Sequence, residues 1–457
     1  MTLTGKKCEG TGAVDMTTGP VLRHILAFGL PMLLGYLFQQ FYSMVDTIIV
    51  GKFVGVYALA GVGSTGAINF MIIGFCMGLC SGFAIPIAQS FGAHNLHHLR
   101  KYVANSLWTS AIFALVVTVL VCALTHHILS WMNTEADIYD YAYDYIFIVF
   151  AGIPATILYN LASSIIRSLG DSRTPVYFLL FSSVLNIALD LLSIIVLGMG
   201  VKGAAIATVF SQLISGIGCM LYMYRKFPFI RGNRTELRFY PRYSLRLVGV
   251  GVPMGLQFTI TAIGNVMLQT AVNGLGYQSV AAIAAGNKIN LFFNTPFDSL
   301  GGTMATFAGQ NAGAHKFERV KQSLKVATLL GFGYTLIACC IMIFFGDSLA
   351  RLFLDQSEHE IIQMTHFFLV AEMSFGMLLT CVNVYRLTMQ GMGFSRLAMF
   401  AGFLEMLGRS LIAFVFVPMF GFWAACFASP IAWLFASFFL VPTCLACVQK
   451  LKRAHAG

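Results

Sequence analysis

Two aspartates interrupt long apolar runs of this chain, where an ionised side chain is costly and rare, and they are the residues best suited to do chemistry. Asp46 follows Pro31 by fifteen residues, and Gln39, Ser43 and Asp46 are spaced i, i+4, i+7, so on a helix they share one polar face. That face is expected to line a water-filled cavity, because lipid offers a carboxylate no partner. Asp190 has Asn186 one turn before it, and Thr208 lies eighteen residues further on. Two acids in one bundle repel each other, and a bound positive ion relieves that repulsion. One reading is a proton carrier; another is a dehydrated Na⁺ held by the oxygens of Asp46, Asp190, Asn186 and Thr208; a third is a fixed hydrogen-bond network. Pro31 removes a helical hydrogen bond and permits a kink in the helix that carries Asp46, either as a static bend or as a hinge.

The elements that position these groups follow from composition. The chain has 457 residues, 58% hydrophobic and 10% charged, too apolar for a soluble core with a polar shell. Runs of roughly 20 apolar residues suit a bilayer core about 30 Å thick, and twelve are readable, near 21–48, 56–86, 102–125, 141–165, 175–198, 203–224, 245–271, 278–308, 324–346, 361–385, 396–418 and 422–448. They lack the period-two alternation of a transmembrane barrel, so all-α spans are expected. The first run is too long for a signal-peptide core. The eleven cysteines read as small buried hydrophobes, since Cys76/Cys80 and Cys444/Cys447 have no His or acidic companions and no metal site is expected.

The net charge of +10 is unevenly spread. Lys6, Lys7, Arg23, Arg100, Lys101, Arg167, Arg173, the linker arginines, Lys316, Arg319, Lys321, Lys325, Arg386, Arg396, Lys450, Lys452 and Arg453 fall on one side of the spans, against Lys52, Lys202 and Arg351 on the other. Both termini are therefore expected in the cytoplasm, with the chain in the plasma membrane. The basic residues flank spans without an aromatic platform, which argues against nucleic acid.

A six-residue phrase, Gln89-Ser90-Phe91-Gly92-Ala93-His94, returns 221 positions later as Gln310-Asn311-Ala312-Gly313-Ala314-His315. Pro31-Met32 pairs with Pro253-Met254, Gly55 with Gly276, Gly170 with Gly393 and Gly200 with Gly421, with offsets drifting by two positions at most. The chain thus reads as two parallel six-span repeats. The expected organisation is a tail (1–20), an N-lobe (21–224), a basic linker (225–244) that rests on anionic headgroups, a C-lobe (245–448) and a short tail (449–457). Gly92 and Gly313 are the expected left-handed helix closers, and His94, His97 and His98 read as a solvated loop.

The second repeat departs from the first. Its seventh span repeats the polar stripe without charge, as Gln257, Thr261, Asn265 and Gln269. Leu268 stands where Asp46 stands, and Arg409 where Asn186 stands. Glu405 and Arg409 are i, i+4 and can neutralise each other, whereas the partners of Glu372 and Lys288 cannot be read from spacing. Ion coupling is therefore expected in the first half, with substrate or gating contacts in the second. Phe38, Phe41 and Tyr42 would suit flat lipophilic cations.

These features together resemble the multidrug and toxic compound extrusion (MATE) family. The resemblance covers about 20–448 and rests on the two six-span halves, Pro31 before Asp46, the segment Val45-Asp46-Thr47-Ile48-Ile49-Val50-Gly51, and Asn186-x-x-x-Asp190 with Thr208 beyond it. It implies a V-shaped pair of bundles, a coupling site at Asp46 and Asp190 with Asn186, Thr208 and Tyr145, and cation-driven antiport without a resident cofactor. NorM-type members carry acids in the seventh and tenth spans, where this chain has Thr261 or Ala262 and Leu379 or Thr380, so the pattern is nearer the DinF-like one. The expected function is export of organic, cationic and lipophilic compounds in exchange for H⁺ or Na⁺, by a monomer. Gln39, Phe41, Tyr42, Gln257 and Asn265 are the substrate-binding candidates. The alternative is a flippase for a lipid-linked precursor, which would want a basic cavity. An enzyme is not expected, because no nucleophile–base or zinc constellation sits at one depth.

Overall fold

In the computed structural model, which describes residues 13–132, 134–355 and 357–455, the chain is all helix. Lys6, Lys7 and Cys8 lie outside the described residues. The first repeat comprises α1 (Val21–Phe53), α2 (Val56–Ser64), α3 (Gly66–Gly92), α4 (Leu96–Trp131), α5 (Ala136–Ala151), α6 (Ile153–Ser168), α7 (Arg173–Leu191) and α8 (Gly200–Lys226). The second comprises α9 (Pro241–Asn273), α10 (Tyr277–Gly313), α11 (Phe317–Ala350), α12 (His359–Ser374), α13 (Gly376–Gly391), α14 (Ser395–Leu411), α15 (Val417–Phe420), α16 (Phe422–Ala425) and α17 (Ala428–Ala454). In-segment hydrogen bonding is what a bilayer demands of the backbone. Among the described residues nine helices are long and apolar enough to cross a membrane, and two bent pairs bring the number to eleven. The pairs are α5–α6, bent by 49° at Gly152, and α12–α13, bent by 48° at Phe375. The remaining segment, α10, has 37 residues and polar groups along its length. The fourth and tenth spans are therefore broken, where unbroken ones were expected.

Two units partition the chain. The first holds residues up to Asp15 and Leu34–Thr259; the second holds Met16–Leu33 and Ile260–Gly457. The unit boundary falls inside α1 and inside α9. α1 continues without interruption through Pro31.

In the first unit α3 and α9 approach through glycines one helical turn apart. A Cβ on Gly82 would lie 2.4 Å from Gly251 Cα, and one on Gly78 would lie 2.6 Å from Met254 O. One on Gly255 would lie 2.7 Å from Phe75 O. Small residues at four-residue spacing let backbones pack where lipid supplies no hydrophobic drive.

The repeated phrase closes α3 and α10 alike. Asn95 N donates to Ser90 O at 3.0 Å and Lys316 N to Asn311 O at 2.8 Å, the six-to-one bond of a left-handed helix stop. The left-handed residues are His94 (φ 53°) and His315 (φ 59°), the only non-glycines with positive φ among the described residues. Gly92 and Gly313 remain helical, which corrects the expectation that glycine makes this turn. The phrase also grips the N-terminal segment. In the first unit His94 Nε2 faces Asp15 at 3.7 Å. In the second, Gln310 Oε1 accepts from Met16 N at 2.9 Å, and Lys316 Nζ and Arg319 donate to Thr17 O and Gly19 O.

The linker folds as a clasp on α4. Glu236 is its hub: the carboxylate accepts from Asn233 N at 3.0 Å and pairs with His97 at 2.9 Å and Arg100 at 3.4 Å. Asn105 Oδ1 accepts from Tyr240 N at 2.7 Å, and Trp108 Nε1 donates to Leu237 O. His97 and His98 thus belong to the first turn of α4, not to a free loop. Burial alone would raise the Glu236 carboxyl, but the Asn233 amide, His97 and Arg100 outweigh it and hold it below the ordinary carboxylate range.

The second unit buries its charges in compensated groups. Arg386 pairs with Glu405, and Arg409 Nη2 lies 3.8 Å from Glu405 Oε2. All three are less than 7% exposed. Arg386 is therefore an internal residue of α13, not the flanking loop charge expected from its position. Glu372 accepts from Asn290 Nδ2 at 2.5 Å and from Ser429, while Lys288 is exposed.

Three outcomes follow. Gly82→Val should lower the melting temperature in detergent by the equivalent of roughly 1–3 kcal/mol through overpacking; an unchanged melt would mean α3 and α9 are not held this closely. Glu405→Gln should cost about 3–5 kcal/mol by leaving two buried guanidinium groups without a counter-charge, while the Arg386→Leu/Glu405→Leu/Arg409→Leu triple should be far less damaging; the reverse order in thermal melts would refute the pairing. Because the Glu236 carboxyl is depressed, its contribution is complete above the unfolded value of about 4.3 and is lost as pH falls through the lower folded value. Emission of Trp108, with the other three tryptophans replaced by Phe, should hold steady from pH 7 to about 5 and shift below. Glu236→Gln should show the shifted spectrum already at pH 7.

Candidate coupling site

Inside the first unit, four helices bring one polar group each, or two, to the same point. α1 contributes Tyr42 and Asp46, one turn apart; α5 contributes Tyr145; α7 contributes Asn186 and Asp190, again one turn apart; α8 contributes Thr208. Asp190 is fully buried and Asn186 is 1% exposed, whereas Asp46, Tyr42, Tyr145 and Thr208 are half-buried. Apolar packing from Ile49, Val50, Ala58, Ile194, Val201 and Ala204 flanks the cluster, with Val45, Tyr145 and Ile187 against it.

The hydrogen bonding is directional. With the Asn186 amide turned to satisfy both of its ends, Nδ2 donates to Asp190 Oδ2 at 2.9 Å and to Tyr42 Oη at 3.1 Å. Its Oδ1 then faces Thr208, whose N and Oγ1 lie 3.0 and 3.2 Å away. The Asp46 and Asp190 carboxyls come within hydrogen-bonding reach of each other, and Tyr145 is close enough to feel both. Asp46 Oδ1 and Asp190 Oδ1 are buried without a hydrogen-bond partner among the described residues. Such orphaned acceptors are rare in packed protein and mark a place where a proton or cation would be welcome. Directly after Asp190 the helix widens into a π-helical stretch, Leu192–Val196, where Ser193 Oγ donates back to Leu189 O at 2.7 Å. Widened turns of this kind recur at functional sites.

The cluster unites Asp46, Asp190, Asn186, Thr208 and Tyr145, and adds Tyr42, which its aromatic ring had marked for substrate contact. Other candidates stand elsewhere: Gln39, Ser43 and Phe41 are exposed on α1, Gln257 is half-buried on α9, and Asn265 is exposed on the part of α9 assigned to the second unit. The Gln39–Ser43–Asp46 stripe therefore divides, its acid in the cluster and its other two members exposed. Tyr42 was legible, since it precedes Asp46 by one turn on the cluster side. No group of three or more His, Cys, Asp or Glu able to hold a metal ion is present among the described residues.

Comparison with known proteins places this arrangement. A family model described as MatE matches residues 31–192 and 253–415, one match in each repeat. A probable multidrug resistance protein, YoeA of Bacillus subtilis (strain 168), is 31% identical over 74% of this chain and 74% of its own length. A protein named as an FAD transporter, from Shewanella oneidensis, is 23% identical over 82% of this chain and 85% of its own. Among solved structures, one described as the outward-facing conformation of a multidrug resistance MATE family transporter superimposes with a TM-score of 0.90 at 21% identity, covering 96% of this chain and 98% of that one. The match to both repeats, the identity to a curated relative and the shared fold lead to one conclusion: the chain belongs to the MATE family of membrane transporters.

Proposed function

We propose that this protein is a secondary antiporter that exports organic, cationic and lipophilic compounds across the plasma membrane, as a monomer with both termini in the cytoplasm, in exchange for an inward cation bound at Asp46 and Asp190. The observation that carries this reading is the meeting of the two carboxyls in a buried site, each with an oxygen that has no partner. Tyr42, Asn186, Thr208 and Tyr145 position the acids. Adding a positive ion between the carboxyls removes a like-charge repulsion that strains α1 against α7; releasing it restores the strain. A ligand that prefers one of the two resulting conformations drives the exchange, by as much as its affinities differ.

The coupling ion is a proton in this reading. Asn186 presents its NH₂ to Asp190 and Tyr42, so the amide is a donor at the acids and would have to turn over to ligate Na⁺. A pair of carboxyls needs no such rearrangement to take up H⁺. The absence of acids at Thr261, Ala262, Leu379 and Thr380 supports a DinF-like rather than NorM-like assignment. The first unit's cluster is acidic, which does not favour a flippase for an anionic lipid-linked precursor. The relative named as an FAD transporter makes a flavin dinucleotide the second substrate class to try.

The test is dye efflux from liposomes under a pH gradient or, at symmetric pH, a Na⁺ gradient. The native protein should respond to the pH gradient, and Asp46→Asn and Asp190→Asn should each lose at least about tenfold in gradient-driven rate, the size of effect expected for losing a proton-transfer group. Dye binding in detergent should persist. Full gradient-driven transport by both variants would refute the site, and efflux driven by Na⁺ alone would refute the proton.

A further inference from the structure

The C-terminal end of α8 carries a second feature, away from the acid cluster. Gly218, Leu221, Tyr222, Arg225 and Lys226 recur at i, i+3, i+4, i+7 and i+8, so they form one stripe along the helix. In the first unit they line a groove of about 410 Å³. Its wall is built in advance. The Phe178 ring of α7 lies over Gly218, where a Cβ would come 2.6 Å from Phe178 Cε1. Phe178 meets Tyr222 edge-on with centroids 6.1 Å apart, and Tyr222 meets Phe227 at 6.3 Å.

Along this groove the chemistry changes over a short distance. Gly218, Leu221 and Tyr222 are apolar or amphipathic, and Arg225 and Lys226 follow within roughly 10 Å of helix. That is on the order of the depth of a headgroup layer. Arg225 and Lys226 are exposed and form none of the ion pairs among the described residues. A third cation is anchored beside them: Arg231 Nε donates to Tyr224 O at 3.0 Å, with its guanidinium 4.7 Å from the centre of the Tyr224 ring. The one acid of the linker, Glu236, is already committed to His97 and Arg100.

We propose that this groove is a binding site for an anionic phospholipid, with the phosphate on Arg225 and Lys226 and one acyl chain along Leu221 and Tyr222. Charge complementarity selects the headgroup, and the apolar wall selects a lipid over a free anion. A zwitterionic headgroup gains less, because its ammonium opposes the same cations. The inference rests on α8 crossing the bilayer and not on the transport cycle, so the two can fail separately.

The experiment uses the full chain in a neutral detergent, with retention of short-chain phosphatidylglycerol, phosphatidylcholine and inorganic phosphate compared by native mass spectrometry. Phosphatidylglycerol should be preferred over phosphatidylcholine, by roughly fivefold per cation and on the order of 25-fold for the pair. Arg225→Gln/Lys226→Gln should abolish the preference, and Arg225→Lys/Lys226→Arg should retain it. Lys52→Gln, at the far end of the same unit, should change nothing. A preference that survives in the Gln double variant, loss of it in the charge-conserving Arg225→Lys/Lys226→Arg variant, or inorganic phosphate bound as tightly as phosphatidylglycerol would each overturn the proposal.

Discussion

The contact between Asp46 and Asp190 is the interaction on which the first unit's design turns. An apolar helical bundle can hold a carboxyl only if its oxygens find donors. Asp190 has one side-chain donor there, the Asn186 amide, and Asp46 has the carboxyl of Asp190 itself. One proton between two acids satisfies both; without it, like charges face each other with too few donors to hold them. Each of α1, α5, α7 and α8 contributes to the cluster, so the state of one small site is felt by four helices. Asp46 and Tyr42 are half-buried, whereas Asp190 is fully buried.

The second unit solves the same electrostatic problem in the opposite way. Where the first repeat has Asn186, the second has Arg409, and where the first has Asp46, the second has Leu268. Glu405 lies between Arg409 and Arg386, so each guanidinium has a carboxylate beside it, with one positive charge in excess. A group with this balance supplies its own positive charge and gains nothing by binding a further cation. Glu372, bonded to Asn290 and Ser429, is likewise supplied with donors. The asymmetry visible in the sequence as missing acids thus becomes a difference in kind: one buried cluster is short of positive charge, and the other is not.

What the sequence could reveal was whatever depends on local pattern. Apolar length marked the spans, and i, i+4 spacing put Asn186 with Asp190. Intramembrane rarity picked out Asp46. What it could not reveal depends on tertiary neighbours. Arg386 looked like a flanking charge because its counter-ion, Glu405, is nineteen positions away on another helix. The break at Gly152 is written in Gly152-Ile153-Pro154, since Pro154 opens α6 without a backbone N–H to continue α5, but the close packing there is not: the Val209 Cγ2 would lie 2.2 Å from an added Cβ. The linker's basic composition says nothing of Glu236 and Asn105, whose hydrogen bonds and ion pairs with residues far along the chain hold it as a clasp on α4.

Several of the positions that let the repeat be detected have a common cause. Gly55 and Gly276, Gly170 and Gly393, Gly200 and Gly421, and His94 and His315 are matched pairs, and every member has positive φ. Side chains rarely adopt that conformation, so the turn geometry restricts these sites more tightly than apolar packing restricts a span. The π-helical stretches are duplicated as well, as Leu192–Val196 in the first repeat and Ile412–Phe416 in the second. At the matched position before them stands Asn186 in one repeat and Arg409 in the other, and only the first repeat adds an acid, Asp190, one turn on. The duplicated backbone sets where a buried polar group can sit; the side chain placed there decides whether the site requires an ion from outside or supplies its own.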